Sequence, residues 1–332
     1  MGYIKNSIHR IRNTRGIGQV ITVTFGLVIM LIAFSFINPV FFSQRNVNNL
    51  LRQIAPILLI GIGQSYVLIT GNIDLSIGSV IGMSAMVSAT LMSHNVAPIV
   101  AMLVALSGAL FIGFLNGFLV VKGKLPPFIA TLGTMTIARG IAQIVNGNYN
   151  TNSIGEHAQG FREFFYYGKT FGIYNTVVIA IVVWFIFNFV LRRTRIGRYI
   201  YAIGSNVEAS RLSGINVLST TVVVYVVSAL CASLVGFIQV GSAGMGAMDA
   251  GNGYEMFAVA ASVIGGVSTL GGQGLLVGTV IGAAIWAVLE NGLQFAGAPI
   301  AIRNIVIGII VIVSVLLDVV LRRRTTKASI KN

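Results

Sequence analysis

A chain of 332 residues that is 55% hydrophobic and only 9% charged is excluded from the ordinary soluble class, in which about a quarter of residues carry charge. Its net charge of +14 does not point to nucleic acid, because the basic residues cluster beside apolar segments, where Lys and Arg set membrane topology. Cys231 is the single cysteine, which excludes an intrachain disulfide, and the 39 glycines suit close helix approach and broken helices in lipid.

The N-terminus carries Lys5, Arg10, Arg12 and Arg15 ahead of an apolar run, Ile17–Ile37. That run is near the roughly 20 residues a bilayer requires. It is followed by Asn38-Pro39-Val40-Phe41 rather than a small-residue cleavage site, so a retained first transmembrane helix is expected. Further apolar segments fall at about 54–70, 77–92, 97–121, 128–145, 173–191, 219–240, 256–268, 275–295 and 302–321. Several are too short or too glycine-rich for one straight crossing.

With the N-terminus inside, ten crossings leave sixteen basic residues on cytoplasmic stretches. These are Lys5, Arg10, Arg12, Arg15, Lys122, Lys124, Arg192, Arg193, Arg195, Arg198, Arg211, Arg322, Arg323, Arg324, Lys327 and Lys331. Five lie on external stretches (Arg45, Arg52, Arg162, Lys169 and Arg303), and Arg139 stays within a helix. That asymmetry is the one the positive-inside rule demands. The expected fold is an all-α integral membrane bundle of about ten helices with both termini cytoplasmic. Residues 1–332 form a single transmembrane domain with no separate soluble one.

Taken along the chain, three strings stand out. Thr70-Gly71-Asn72-Ile73-Asp74-Leu75-Ser76-Ile77-Gly78-Ser79 interrupts two apolar segments with a carboxylate, an amide and hydroxyls. Such residues build transport sites in broken helices, or cap the following helix where lipid offers no partner; Asp74 or Ser76 can do either. The loop at about 146–172 turns from polar to aromatic at Phe161, Phe164, Phe165, Tyr166 and Tyr167. It reads as an interfacial helix with an aromatic belt or a landing site for an external partner.

The second string, Arg192–Asn216, is a basic, glycine-punctuated insert between two apolar segments. Asn206 is a good N-cap, Glu208 sits in a first turn and Gly214 is a natural stop, which predicts one short helix, Val207–Ser213. The arginines can hold lipid headgroups, but the capped helix favours a cytoplasmic docking surface through which an external motor acts. The third string, Gly265–Gly274, predicts a tight turn, and Gly274, Gly278 and Gly282 then repeat at the four-residue spacing that lets helix backbones approach. Gly78/Gly82 and Gly113/Gly117 share that spacing.

Catalytic patterns are absent. No G-x-x-x-x-G-K-[ST] loop occurs, since Glu163 stands where Gly168-Lys169-Thr170 would need a glycine. His9, His94 and His157 have no metal-ligand spacing, and there is no HExxH. Among the carboxylates, Asp74, Asp249, Glu255, Glu290 and Asp318 lie in or beside membrane segments.

These strings, in this order, resemble the permease subunit of bacterial ABC sugar importers of the ribose, xylose and galactose type. The resemblance covers essentially the whole chain. It is carried by Asn38-Pro39 with Phe41-Phe42, Ile73-Asp74-Leu75-Ser76-Ile77-Gly78-Ser79, Pro127-Phe128-Ile129-Ala130-Thr131-Leu132-Gly133-Thr134, Gly197-Arg198-Tyr199-Ile200-Tyr201-Ala202-Ile203-Gly204-Ser205-Asn206, Arg211-Leu212-Ser213-Gly214-Ile215-Asn216-Val217, and Gly265–Gly282.

The resemblance implies a multi-pass permease of the bacterial inner membrane that carries ribose or a similar monosaccharide and performs no bond chemistry. It implies three protein partners: a second copy or a related permease, a cytoplasmic tandem-module ATPase, and an extracytoplasmic sugar-binding protein. Membrane lipid surrounds the assembly, and nucleic acid plays no part. No cofactor is expected on this chain, ATP and Mg belonging to the ATPase.

The family's coupling segment maps onto Arg195 to Ile215, and so onto Arg195, Gly197, Arg198, Gly204, Asn206, Glu208, Ala209, Arg211 and Gly214. The translocation path is expected near Asn72, Asp74, Ser76, Thr131, Tyr254 and Glu255. One departure is visible: the family often reads Tyr-Glu-Leu-Asp where this chain has Tyr254-Glu255-Met256-Phe257. An ion-coupled carrier of a small polar solute is the alternative that the intramembrane carboxylates allow.

Overall fold

The computed structural model describes residues 17–306 together with 308–310, 312, 313 and 316. The basic residues at both termini, Asp318, and the side of the membrane on which the termini lie fall outside the described residues. Twelve helices are bounded: α1 Ile17–Ile37, α2 Gln44–Ile69, α3 Ile77–Ser93, α4 Pro98–Val121, α5 Pro127–Ile144, the single turn α6 Gln159–Arg162, α7 Asn175–Arg193, α8 Arg195–Ser205, α9 Val207–Leu212, α10 Val217–Ala243, α11 Tyr254–Ile264 and α12 Leu276–Phe295. A further helical segment begins at Ile300. The only strands among the described residues are the two-residue arms Lys169–Thr170 and Ile173–Tyr174 of one hairpin.

Nine of the ten apolar segments, from 17–37 to 275–295, coincide with helices, but not with equal reach; the tenth, at about 302–321, falls partly outside the described residues. α1, α2, α4, α7, α10 and α12 are long and apolar enough to cross a membrane; α3 and α11, at 17 and 11 residues, are shorter. α2 starts ten residues before its apolar run, because its first turns hold Gln44, Arg45, Asn46, Asn48 and Asn49. Ser43 caps it, accepting from the Asn46 amide at 3.3 Å. The segment read as 256–268 is helical only to Ile264 and then enters the glycine turn.

α10 is the axis of the bundle, packed against α4, α2 and α3. Lipid supplies no hydrophobic drive between helices, so close van der Waals packing must hold them, and small residues permit it. Gly113 and Gly117 of α4 face Tyr225, Ala229 and Val222 of α10 so closely that a Cβ would overlap them. Gly278 and Gly282 of α12 meet Gly265 and Ala261 in the same way.

Two ends of the bundle can be distinguished by what they hold. One end, hereafter the basic end, carries the exposed Arg192, Arg193, Arg195, Arg198 and Arg211, next to the start of α10 and the finish of α4. At the opposite end Asn46 bonds Asn291 at 3.0 Å and the Phe41 carbonyl at 2.8 Å, fastening α2 to α12 and to the turn after α1.

Gly278→Val should lower the thermal midpoint of the detergent-solubilised protein, by the roughly 1–3 kcal/mol or more that overpacking costs. Gly133→Ala, at a position where an added Cβ would meet no atom of another element within 4 Å, should leave it unchanged, and fluorescence-detected size exclusion after heating reads both.

Candidate functional site

The chain between α2 and α3 leaves the helical path for seven residues, and its polar groups need partners that lipid cannot give. Thr70 turns its hydroxyl back to the Val67 carbonyl at 2.7 Å, and Asn72 donates to the Thr70 hydroxyl at 2.8 Å. Asp74, 2% exposed, then organises the start of α3. One carboxylate oxygen accepts from the Ser76 amide at 2.9 Å and its hydroxyl at 2.6 Å; the other accepts from the Ser228 hydroxyl of α10 at 2.7 Å.

The network runs on through Asn116 of α4, which donates to the Ser76 hydroxyl at 3.0 Å. It ends on Thr134 of α5, which donates to the Asn116 side-chain carbonyl at 2.6 Å. The Thr134 hydroxyl also reaches the carbonyl of the buried Thr131 at 3.2 Å. Tyr225 of α10 donates to the carbonyl of Ile73 at 3.1 Å. Ser76 occupies the N-cap position of α3 but its side chain makes no cap bond to the helix; Asp74 instead holds Ser76, through its amide and hydroxyl, just ahead of the first turn. Asp74, Ser76 and Thr131 are brought together, with Asn72 one step away.

The basic insert contains two helices, not the single one expected. The whole stretch Arg195–Ser205 is helical and precedes the capped helix, which runs Val207–Leu212. Its periodicity was hidden by a mixture of arginines, tyrosines and glycines that resembles a loop in composition. Thr194 caps α8, accepting from the Gly197 amide at 3.4 Å, and Gly197 fits against the carbonyls of Val190 and Leu191 at the sharp corner after α7. As expected, Asn206 caps α9, accepting from the Ala209 amide at 2.9 Å, and Gly214 follows with φ +80°. The outer face of α9 presents Val207, Glu208, Arg211 and Leu212. Leu212 is 89% exposed, and Glu208 pairs with Arg211 at 3.2 Å.

α8 joins this surface to the interior. Gly204 lies against the Ile69 carbonyl and the Gly272 amide, with no space for a side chain. The Gly272 amide donates to the Ile69 carbonyl at 2.8 Å. Tyr201 donates to the Gly274 carbonyl at 2.7 Å; burial pushes its hydroxyl up to about 12. Gly71, with φ +77°, meets Leu270 and Gly271. The three strings singled out in the sequence thus meet in one corner: the end of α2, the end of α8, and the turn between α11 and α12.

Tyr254 and Glu255 lie apart from Asp74. Glu255 sits over Gly78 in the first turn of α3, so close that only a glycine fits there. Beside it Arg139 of α5 donates to the carbonyls of Met248 at 2.9 Å, Ala250 at 3.0 Å and Gly78 at 3.4 Å. This arginine, left without a role in the sequence, pins the non-helical stretch after α10 to the start of α3. Its charge in an apolar run was the available signal. Asn116 was equally visible, whereas nothing in the sequence singled out Ser228, Thr134, Tyr225 or Tyr201. Tyr254 faces a cavity at the end opposite the basic helices. Among the described residues no cluster of His, Cys, Asp and Glu could hold a metal ion.

Residues 46–315 match the family profile described as branched-chain amino acid transport system / permease component. The chain is 38% identical over 293 residues to the ribose import permease protein RbsC of Escherichia coli (strain K12), covering 88% of this chain and 91% of that protein. It is 37% identical over 306 residues to the RbsC of Bacillus subtilis (strain 168), covering 91% and 94%. To the D-allose transport system permease protein AlsC of Escherichia coli (strain K12) it is 35% identical over 298 residues, covering 89% and 90%. No solved structure matches. With six helices of membrane-spanning length, these relatives make the chain a multi-pass protein of the bacterial inner membrane.

Asp74→Ala strands the Ser76 amide and two hydroxyls in a buried site, at a cost of about 3 kcal/mol, and Asp74→Asn strands fewer. Thermal midpoints in detergent should fall in the order wild type, Asn, Ala. A fall for Asp74→Ala no larger than for Ser107→Ala, which loses one exposed bond to the Leu103 carbonyl, would contradict this.

Proposed function

Because the chain belongs to this family of transport-system permease components and resembles sugar import permeases over most of its length, we propose that it is the translocating subunit of an ATP-driven importer for ribose or a similar monosaccharide. The observation that carries this reading is the corner where α8 grips both broken stretches. An exposed short helix, α9, joined through α8 to the interruptions of the bundle, suits docking by an external motor.

In this reading the chain is one translocation unit of ten crossings with both termini in the cytoplasm, and it acts as a dimer with a second copy or a related permease. A cytoplasmic ATPase with two modules binds ATP and Mg and docks on α9 through Val207, Glu208, Arg211 and Leu212. An extracytoplasmic binding protein delivers the sugar at the opposite end. The ATPase has different affinities for the two states of the bundle, and that difference alone biases their populations. Force on α9 reaches Gly204, then the Ile69 carbonyl and the Gly272 amide. From there it reaches the 70–76 stretch that holds Asp74. Asn72, Asp74, Ser76, Thr131, Tyr254 and Glu255 line or brace the path that opens.

The test is uptake by the complete importer. Glu208→Arg and Leu212→Asp leave all internal packing in place, so membrane insertion and thermal midpoint should match wild type. Sugar uptake should fall more than about tenfold, as expected for the centre of a docking surface, while the ATPase continues to turn over. Normal uptake in both variants would sink the assignment of α9. Uptake that collapses with the proton gradient while ATP stays high would instead favour an ion-coupled carrier.

A further inference from the structure

At the end opposite the basic helices, a cavity of about 440 Å³ opens between α2, α10, α11 and α12. Its volume is within the roughly 300–1,000 Å³ of small-molecule sites. Its wall combines two kinds of group. Gln53, Gln239, Asn252 and Glu290 contribute amides and one carboxylate, one or more from each of α2, α10 and α12 and one from the stretch before α11. Tyr254 and Phe257 contribute rings with centroids 5.1 Å apart, and Phe257 is backed by the fully buried Trp286 at 5.1 Å.

The charge of the cavity narrows the ligand. Among the described residues Arg52 is the only cation that lines it. Its guanidinium faces the Tyr166 and Tyr174 rings, 4.6 and 4.4 Å away, and donates to Asn49 at 3.2 Å. Arg303 lies near Glu290 and offsets part of its charge but does not line the cavity, so an anion inside would still lie against the Glu290 carboxylate. A neutral polyol suits every wall: its hydroxyls pair with amides and carboxylate, and its C–H face lies on an aromatic ring.

We propose that this cavity is a sugar subsite carried by the permease itself, in which Phe257 supplies the aromatic face and Glu290 and Gln239 read the hydroxyls, so that part of the selectivity among neutral monosaccharides belongs to this chain. The proposal rests on the importer reading and deepens it. Phe257 is the specificity-determining position, because it is held rigidly by Trp286 behind it while its other side faces the cavity.

Trp286 also provides the probe. The chain has two tryptophans, and Trp184→Phe leaves Trp286 as the only emitter behind the cavity wall. The full-length protein in lipid nanodiscs is titrated with D-ribose, D-allose, D-fructose and D-galactose into the millimolar range, and ATP-driven uptake of the same sugars by the complete importer is measured in parallel. A saturable change in Trp286 emission is expected with at least one sugar. Phe257→Leu and Glu290→Gln should each weaken it about threefold to tenfold and alter the ranking of the sugars, whereas Phe257→Tyr should restore it. Uptake without saturable binding, or binding indifferent to both substitutions, overturns the subsite and leaves the importer reading intact. Binding without uptake of any of the sugars supports the subsite and sinks the importer reading, and neither binding nor uptake overturns both.

Discussion

The constraint on which this structure depends is that a backbone carbonyl or amide in hydrocarbon must find a partner inside the protein. Three stretches of this bundle are not helical yet lie within it: 70–76, 244–253 and 265–275. Each is satisfied by a group from another element. Tyr225 of α10 serves Ile73, Arg139 of α5 serves Met248 and Ala250, and Tyr201 of α8 serves Gly274. Trp184 of α7 donates to the Leu276 carbonyl at 3.0 Å, where α12 begins. The irregular segments are therefore held by scattered bonds from other elements, some from long side chains and some from backbone, such as the Gly272 amide on the Ile69 carbonyl and the Thr151 amide on the Gly246 carbonyl, rather than by a continuous helical ladder.

That mode of attachment bears on motion. A helix resists bending because each turn is bonded to the next, whereas a segment tied by one or two bonds can change partners at small cost. The places where this bundle can rearrange are thus the three breaks, and two of them meet α8 at Gly204. Glycine there leaves no side chain between α8 and the end of α2 or the turn before α12. The third break, 244–253, lies alongside α3, where Gly251 meets the Gly78 carbonyl and Gly246 meets Ala89. α3 is therefore in contact with two of the three breaks.

The buried polar chain Ser228–Asp74–Ser76–Asn116–Thr134 sets what must be conserved through such a change. A carboxylate in a low-dielectric interior is tolerable only when its lone pairs are filled, and here three neutral donors from two elements fill them. Any rearrangement that separates α10 from the start of α3 must offer Asp74 new partners, from solute, water or protein. This makes Asp74 a fixed point of the arrangement of α10 against the start of α3.

Much of this was legible in the sequence because lipid simplifies the code. Apolar run length gave the helices, and caps such as Asn206 and the stop at Gly214 are local geometry that neighbours cannot override. What the sequence by itself determined was a set of helices, their interruptions and a basic insert facing one side. The tertiary structure alone decided that the interruptions meet, that Arg195–Ser205 is a helix, and that Ser228, Asn116, Arg139 and Tyr201 serve groups tens of residues away. Those pairings depend on which helix faces share an interface. With small residues on many faces and no hydrophobic drive between helices in lipid, only the complete set of close backbone approaches fixes that arrangement.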